Sequence, residues 1–200
     1  EDKVAKVSAL GRVTGVVQMK GYGKIRDFSY DGYNEVYWLG KKKKNEYLLA
    51  TSFQTGKTRV VYRFKKDIQT GSLTVPQSGS IGVVAKNPSG VIYLDAITAA
   101  KPKISFVVGK KAAWKKVTAK KKINDNKKFT GWNTKESMLL SQENETIPAM
   151  LVQEGNQYLA VEWQADVAKK TVQKKASATA VEAKSGSLLQ KCGNNYVIVC

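Results

Sequence analysis

The side chains of this sequence best suited to chemistry are its lysines, and the chemistry they offer is the binding of anions. Between Lys101 and Lys128, Lys110, Lys111, Lys115, Lys116, Lys120, Lys121, Lys122, Lys127 and Lys128 are interleaved with Phe106, Trp114 and Phe129. Lysine ammonium groups meet phosphates as flexible point charges and release counterions, while exposed aromatic rings stack on bases. A second run, Lys41, Lys42, Lys43 and Lys44, follows Tyr37-Trp38-Leu39-Gly40 and precedes a strand beginning at Tyr47, so it falls on a turn from which four cations reach outward. Such a run serves a polyanion or guards a sheet edge, and the sequence leaves both open. Arg59 and Arg63 add two cations to the strand that follows. Only four of the 34 cationic residues are Arg, which argues against reading of base edges, because bidentate contacts to guanine use the guanidinium fork.

The rest of the inventory excludes more than it offers. The chain has no His, so imidazole base catalysis, Ser-His and Cys-His nucleophile pairs and His-containing zinc sites are out of reach. Gly21-Tyr22-Gly23 lacks the third glycine of a dinucleotide fingerprint, and Gly56-Lys57-Thr58 lacks the glycine a phosphate loop needs five residues earlier, where Thr51 stands. Glu143 and Glu145 flank Asn144 and read as a loop. Cys192 and Cys200 make neither a disulfide framework nor a metal motif, and a bridge between them needs Gly193-Asn194-Asn195 to reverse the chain completely. No catalytic constellation, metal site or cofactor is expected. There is no run of about 18 to 20 apolar residues, so no membrane partner is expected either. A start at Glu1, with no basic segment leading into an apolar one, is what a mature form, a fragment or an isolated domain shows.

These residues need a scaffold, and 200 residues with 42% apolar content suffice for a domain with a real core. Short β-branched and aromatic runs separated by Gly, Asn and Ser predict strands at Val13 to Met19, Tyr47 to Phe53, Thr58 to Phe64, Ile81 to Ala85, Val91 to Leu94, Ile104 to Val108 and Tyr158 to Trp163. In Thr58 to Lys65, strict alternation puts Val60, Tyr62 and Phe64 on a core face and Arg59, Val61, Arg63 and Lys65 on a cationic one. Val13 to Tyr30, Tyr47 to Phe64 and Ile81 to Thr98 start 34 residues apart and each reads as strand, Gly-containing turn, strand, with Gly23, Gly56 and Gly90 at the turns. Val167 to Ala183, rich in Ala and Lys, reads equally as helix, exposed strand or linker. The aromatic series Tyr22, Phe28, Tyr30, Tyr33, Tyr37, Trp38 and Tyr47 reads as core packing before it reads as a stacking platform. The excess charge is uneven: residues 101 to 130 carry +10 of a total of +18, and residues 131 to 166 carry −5. That distribution predicts a basic face and a more neutral one.

Tyr47-Leu48-Leu49-Ala50-Thr51, then Gly56-Lys57, then Arg59 to Phe64, then Gly71-Ser72-Leu73-Thr74-Val75-Pro76, resembles one blade of the DNA-wrapping β-pinwheel at the C-terminus of the A subunits of bacterial type IIA topoisomerases, gyrase and topoisomerase IV. Ile104 to Lys122 has a similar look. The resemblance implies a repeated-blade fold with DNA along a basic rim. The Gly-rich box with two arginines that gyrase carries has no copy here.

The expectation is therefore an all-β protein of antiparallel, hairpin-rich sheets, arranged as repeated blades or as a sandwich or barrel. Residues 1–166 form the basic β domain, and 167–200 an Ala/Lys-rich segment with a C-terminal strand. The expected role is a non-enzymatic module that binds nucleic acid, duplex DNA foremost, through Lys–phosphate contacts without reading sequence. Lys110, Lys111, Lys115, Lys116, Lys120, Lys121 and Lys122 are the first candidates, with Lys41 to Lys44, Arg59 and Arg63 second. The alternative is a structural assembly protein of a virion, phage tail or surface lattice, whose basic patches meet acidic neighbours or further copies. The first places the protein with the nucleoid in the cytoplasm, the second in a virion.

Overall fold

The computed structural model describes residues 2–75, 81–95, 102–118 and 123–124, and the backbone of six strands beyond residue 136. An antiparallel hairpin of β1 (Asp2–Val7) and β2 (Val13–Met19) comes first. A four-stranded meander follows: β3 (Phe28–Tyr30), β4 (Glu35–Lys42), β5 (Asn45–Ser52) and β6 (Thr58–Arg63). The second meander is β7 (Gln69–Thr74), β8 (Ile81–Asn87), β9 (Ser89–Leu94) and β10 (Ile104–Gly109). After the single helical turn α1 (Lys111–Trp114), β11 (Ile123–Asn124) joins this sheet parallel to β10. The third is β12 (Ser137–Gln142), β13 (Glu145–Glu154), β14 (Gln157–Asp166) and β15 (Thr171–Ala180), and β16 (Leu188–Cys192) pairs with β17 (Asn195–Val199) in a last hairpin. The protein is all-β, and every predicted strand coincides with an observed one.

The apolar run Val36-Tyr37-Trp38-Leu39 explains where the core sits. Successive side chains of a strand point to opposite faces, so an unbroken apolar run needs cover on both. Val36, Trp38 and Leu49 pack against Val17 and Met19 of the first hairpin, while Tyr37, Leu39, Leu48 and Ala50 pack against Ile81, Val83, Ile92, Leu94 and Val107 of the second meander. β12 and β13 in turn lie against β8. The sheets thus stack in chain order. The Trp38 indole N–H, fully buried, donates to Thr51 Oγ1 at 3.0 Å, and that hydroxyl pairs with Thr58 Oγ1 at 2.9 Å. The hydroxyl of exposed Thr58, in Gly56-Lys57-Thr58, is thus taken up by a bond to buried Thr51.

Side-chain acceptors of the first meander dock the second. As an edge strand, β7 has outward N–H groups that need partners. Asp27 accepts from Leu73 N–H at 2.7 Å, Ser29 Oγ from Val75 N–H at 3.3 Å, and Glu46 from Thr70 N–H at 2.9 Å. Thr70 Oγ1 also donates to Glu46, and Arg26 Nη1 lies 2.7 Å from both Glu46 oxygens. Burial holds the Asp27 carboxyl above its ordinary range, against the opposing pull of its two backbone donors.

Several sequence expectations are corrected here. On β6 the alternation breaks at a bulge: Leu48 pairs with Tyr62 and Leu49 with Val60, so Val61 is the extra residue. Val61 is buried at 5% exposure, and Val60, assigned to the core face, is 47% exposed. The 34-residue repeat fails in its first unit, because β2 pairs with β1 and β3 with β4. What recurs is the four-stranded meander. Gly23 and Gly56 have φ of +67° as turn glycines do, but Gly90 lies inside β9 without a positive φ. It is needed for close approach: a Cβ there would stand 2.5 Å from Val108 O and 2.8 Å from Trp114 Nε1.

Within Val167 to Ala183, read equally as helix, exposed strand or linker, Thr171 to Ala180 is strand β15, paired with β14. In the last hairpin Cys192 faces Asn195 at the turn and Val199 faces Leu188 at the open end. The chain thus reverses between β16 and β17; Cys200, like Glu143 and the end of the third 34-residue unit, lies outside the described residues.

Candidate nucleic-acid interface

Strand register decides which cations meet. The β4–β5 turn, Lys43-Lys44, and the end of β6, Arg63, lie at one end of the first meander, since Tyr47 pairs with Arg63. In the second meander, Gln69 pairs with Asn87, Lys86 with Ser89, and Gly90 with Gly109, so the start of β7, the β8–β9 turn and the exit of β10 into α1 share one end. The Glu46–Thr70 bonds join these two ends, because Glu46 is one residue past the Lys42–Asn45 pair and Thr70 is the second residue of β7. Lys41 to Lys44, Arg63, Lys65, Lys66, Lys86, Lys110, Lys111, Lys115 and Lys116 therefore gather at one pole, and all are exposed. Sequence reading separated the runs at 41–44 and 110–116; long-range register unites them. It also missed Lys65, Lys66 and Lys86 as site residues, although the Lys65-Lys66 pair directly after a strand was a usable signal.

The densest part is an open groove of about 770 Å³ lined by Lys43, Lys44, Asn45, Arg63, Phe64, Lys65 and Lys66. Phe64 is 1% exposed and forms its floor, and its N–H donates to Glu46 O at 2.9 Å. Ile68 N–H donates to Lys65 O, which closes the turn carrying Lys65 and Lys66. The opposite wall depends on Lys43 at φ +55°, a left-handed conformation costing a non-Gly residue about 1–2 kcal/mol. Asn tolerates that region. Lys43→Asn is accordingly expected to stabilise the chain by roughly 0.5–1 kcal/mol while removing a site charge, measured by urea unfolding. A loss of stability would show that the turn is not strained.

Arg59 belongs elsewhere. It pairs with Ala50 near the far end of β6, and its guanidinium makes two bonds to Glu35, Nε to Oε1 at 3.0 Å and Nη2 to Oε2 at 2.6 Å. It also lies 5.8 Å from the Tyr37 ring centre. Its fork is thus shared with Glu35, away from the basic pole. The hydrogen bonds and charge of Arg59 hold Glu35 below its ordinary 4.5. A depressed carboxyl contributes stability above its unfolded pKa that is lost as pH falls through the folded value, whereas the raised Asp27 works in the opposite sense. Stability should therefore fall less between pH 6 and pH 3 in Glu35→Gln than in the wild type, by under about 1 kcal/mol for a pair this exposed. Urea midpoints at the two pH values check this, and equal losses would remove the linkage.

The aromatic residues do not accompany the lysines. Phe106 and Trp114 are buried at 1% and 0% exposure, Phe106 stacked on Tyr93 at 4.5 Å and Trp114 closing the core over Gly90. Neither can stack on a base, which corrects the interleaved reading of 101–128. In the series from Tyr22 to Tyr47, Tyr37 and Trp38 are core and Tyr22, Tyr30 and Tyr47 pack partly buried against it, while Phe28 and Tyr33 are exposed at 52% and 73%. Lys120, Lys121, Lys122, Lys127, Lys128 and Phe129 lie outside the described residues. Among the described residues no three His, Cys, Asp or Glu side chains come together, and no helix is long and apolar enough to cross a membrane.

No family model matches this chain, and no curated protein matches it.

Proposed function

We propose that this chain is a non-enzymatic module that holds nucleic acid, duplex DNA foremost, by its phosphates at the basic pole. The observation that supports this most is the convergence of cations from four separate segments on one end of two stacked sheets, with Asp67 the exposed acid nearest in sequence. Exposed charges beyond roughly 8–10 Å of one another are screened at ordinary ionic strength, so only such gathering lets lysines act together. Among the described residues the rings near these lysines are buried or half-buried, Tyr22 beneath Lys42 included, which favours phosphate contact over base stacking. The β-pinwheel resemblance fits this reading in its repeated meanders and its Gly56-Lys57 turn, although its quoted residues run from the first meander into β7 of the second.

The test compares Lys43, Lys44, Lys110 and Lys116, all changed to Gln, with Lys3, Arg12, Lys57 and Lys103 changed likewise. The first set should flatten the logarithmic salt slope of duplex binding by about 3.6, at 0.9 per phosphate contact, and the second by far less. Equal effects would reduce the binding to net charge, and a salt-independent wild type would remove the reading.

A second reading, structural self-assembly, is favoured by the first hairpin. Its outer surface carries Val7, Leu10, Val13 and Val16 at 55% to 84% exposure. A defined particle in sedimentation, lost in Leu10→Ser with Val13→Ser, would support it, and a monomer at micromolar concentration would count against it.

A further inference from the structure

We propose that the groove between the β4–β5 turn and residues 63–66 is a site for condensed phosphate, a tri- or longer polyphosphate chain, either free or at the end of a nucleotide. This rests on reading the pole as phosphate-binding and names the ligand that its densest group of cations takes. Five cations, Lys43, Lys44, Arg63, Lys65 and Lys66, surround about 770 Å³, and none is paired with an acid or hydrogen-bonded within the described residues. The five residues line one groove from two short segments, 43–44 and 63–66, so their charges lie close enough to act on one ligand.

Charge density and shape then select among phosphates. A duplex strand presents one charge per about 3.4 Å of axis, each on its own sugar-linked phosphate, so few of its charges come within reach of so compact a group of cations. Condensed phosphates share bridging oxygens, and the terminal group carries close to two charges, so more negative charge enters the same space. Arg63 supplies a planar fork that grips two oxygens of the terminal phosphate, and the four lysines serve the remaining oxygens as adaptable point charges. Phe64 beneath them offers no competing polar group. The groove presents no exposed ring to a base, so binding is independent of the nucleoside.

The test is calorimetric titration of the whole chain with sodium tripolyphosphate, orthophosphate and ATP. Tripolyphosphate is expected to bind once per chain, at least about tenfold tighter than orthophosphate, with ATP close to it. Changing Lys43, Lys44, Arg63, Lys65 and Lys66 to Gln should abolish this, Arg63→Lys should weaken it severalfold, and Lys3, Arg12, Lys57 and Lys103 changed to Gln should leave it intact. Tripolyphosphate no tighter than orthophosphate, ATP binding without tripolyphosphate binding, or equal loss in both multiple variants would overturn the proposal. If tripolyphosphate fails while duplex DNA still binds with a steep salt slope, the groove proposal alone falls; if neither binds, the reading of the pole falls with it.

Discussion

Replacing Glu46 with Ala is expected to lower the unfolding free energy by about 3–5 kcal/mol, a large share of the roughly 5–15 kcal/mol that holds a domain together. Glu46 is 2% exposed and accepts from Arg26 Nη1, Thr70 N–H and Thr70 Oγ1. Its removal strands a buried N–H on β7 and leaves the Arg26 guanidinium without its counter-charge. Arg26 is one-third exposed and can recover water, so Arg26→Ala should cost less, about 2 kcal/mol. Changing both to Met should cost less than the sum of the single losses, since apolar replacement of both members of a buried pair avoids an orphaned charge. Urea unfolding of the three variants measures this, and strict additivity would show that the pair does not act as a unit. The same contacts set the two sheet ends side by side, so Glu46→Ala should also weaken polyanion binding, although Glu46 is acidic and its loss raises the net charge.

The second large effect is expected at Gly90. An added methyl meets the Val108 carbonyl oxygen at 2.5 Å and the Trp114 ring at 2.8 Å, and both are held in the core. Trp114 is the one buried residue of α1, so a displaced indole carries the helical turn and its flanking lysines with it. Overpacking of this kind costs about 2–3 kcal/mol. Gly71 is the matched comparison: a Cβ there meets the flexible aliphatic part of Lys86 at 3.1 Å, which can give way, so Gly71→Ala should cost under about 1 kcal/mol. Urea midpoints of the two variants decide the matter. Equal and small losses would mean that the β9–β10 region accommodates the methyl by shifting.

Strand positions were readable because β-branched and aromatic runs bounded by turn residues are a local signal, and β2 was read with its observed ends, Val13 and Met19. The two lysine runs were equally visible, and their exposure follows from the cost of burying an ammonium group. The facing of Val60 and Val61 was not legible, because a bulge is set by the partner strand: the slip between Leu48 and Leu49 moves Val61 inward against the second meander. Nor was the fate of Arg59, whose partner Glu35 is 24 residues away and becomes its neighbour only across the sheet.

By itself, then, the sequence determined an all-β chain without imidazole chemistry and rich in lysine, with a run of four lysines of which two, Lys43 and Lys44, make the turn and two, Lys41 and Lys42, end β4. Only tertiary structure decided that the turn at Lys43-Lys44, the exit of β6 and the helical turn after β10 share one pole, that Arg59 sits at the other, and that Phe106 and Trp114 serve the core. The physical reason is that local propensity fixes where a strand runs. Which of its ends stands beside which end of another sheet is fixed by pairing register and by long-range acceptors such as Glu46, Asp27 and Ser29, whose partners lie 24 to 46 residues away.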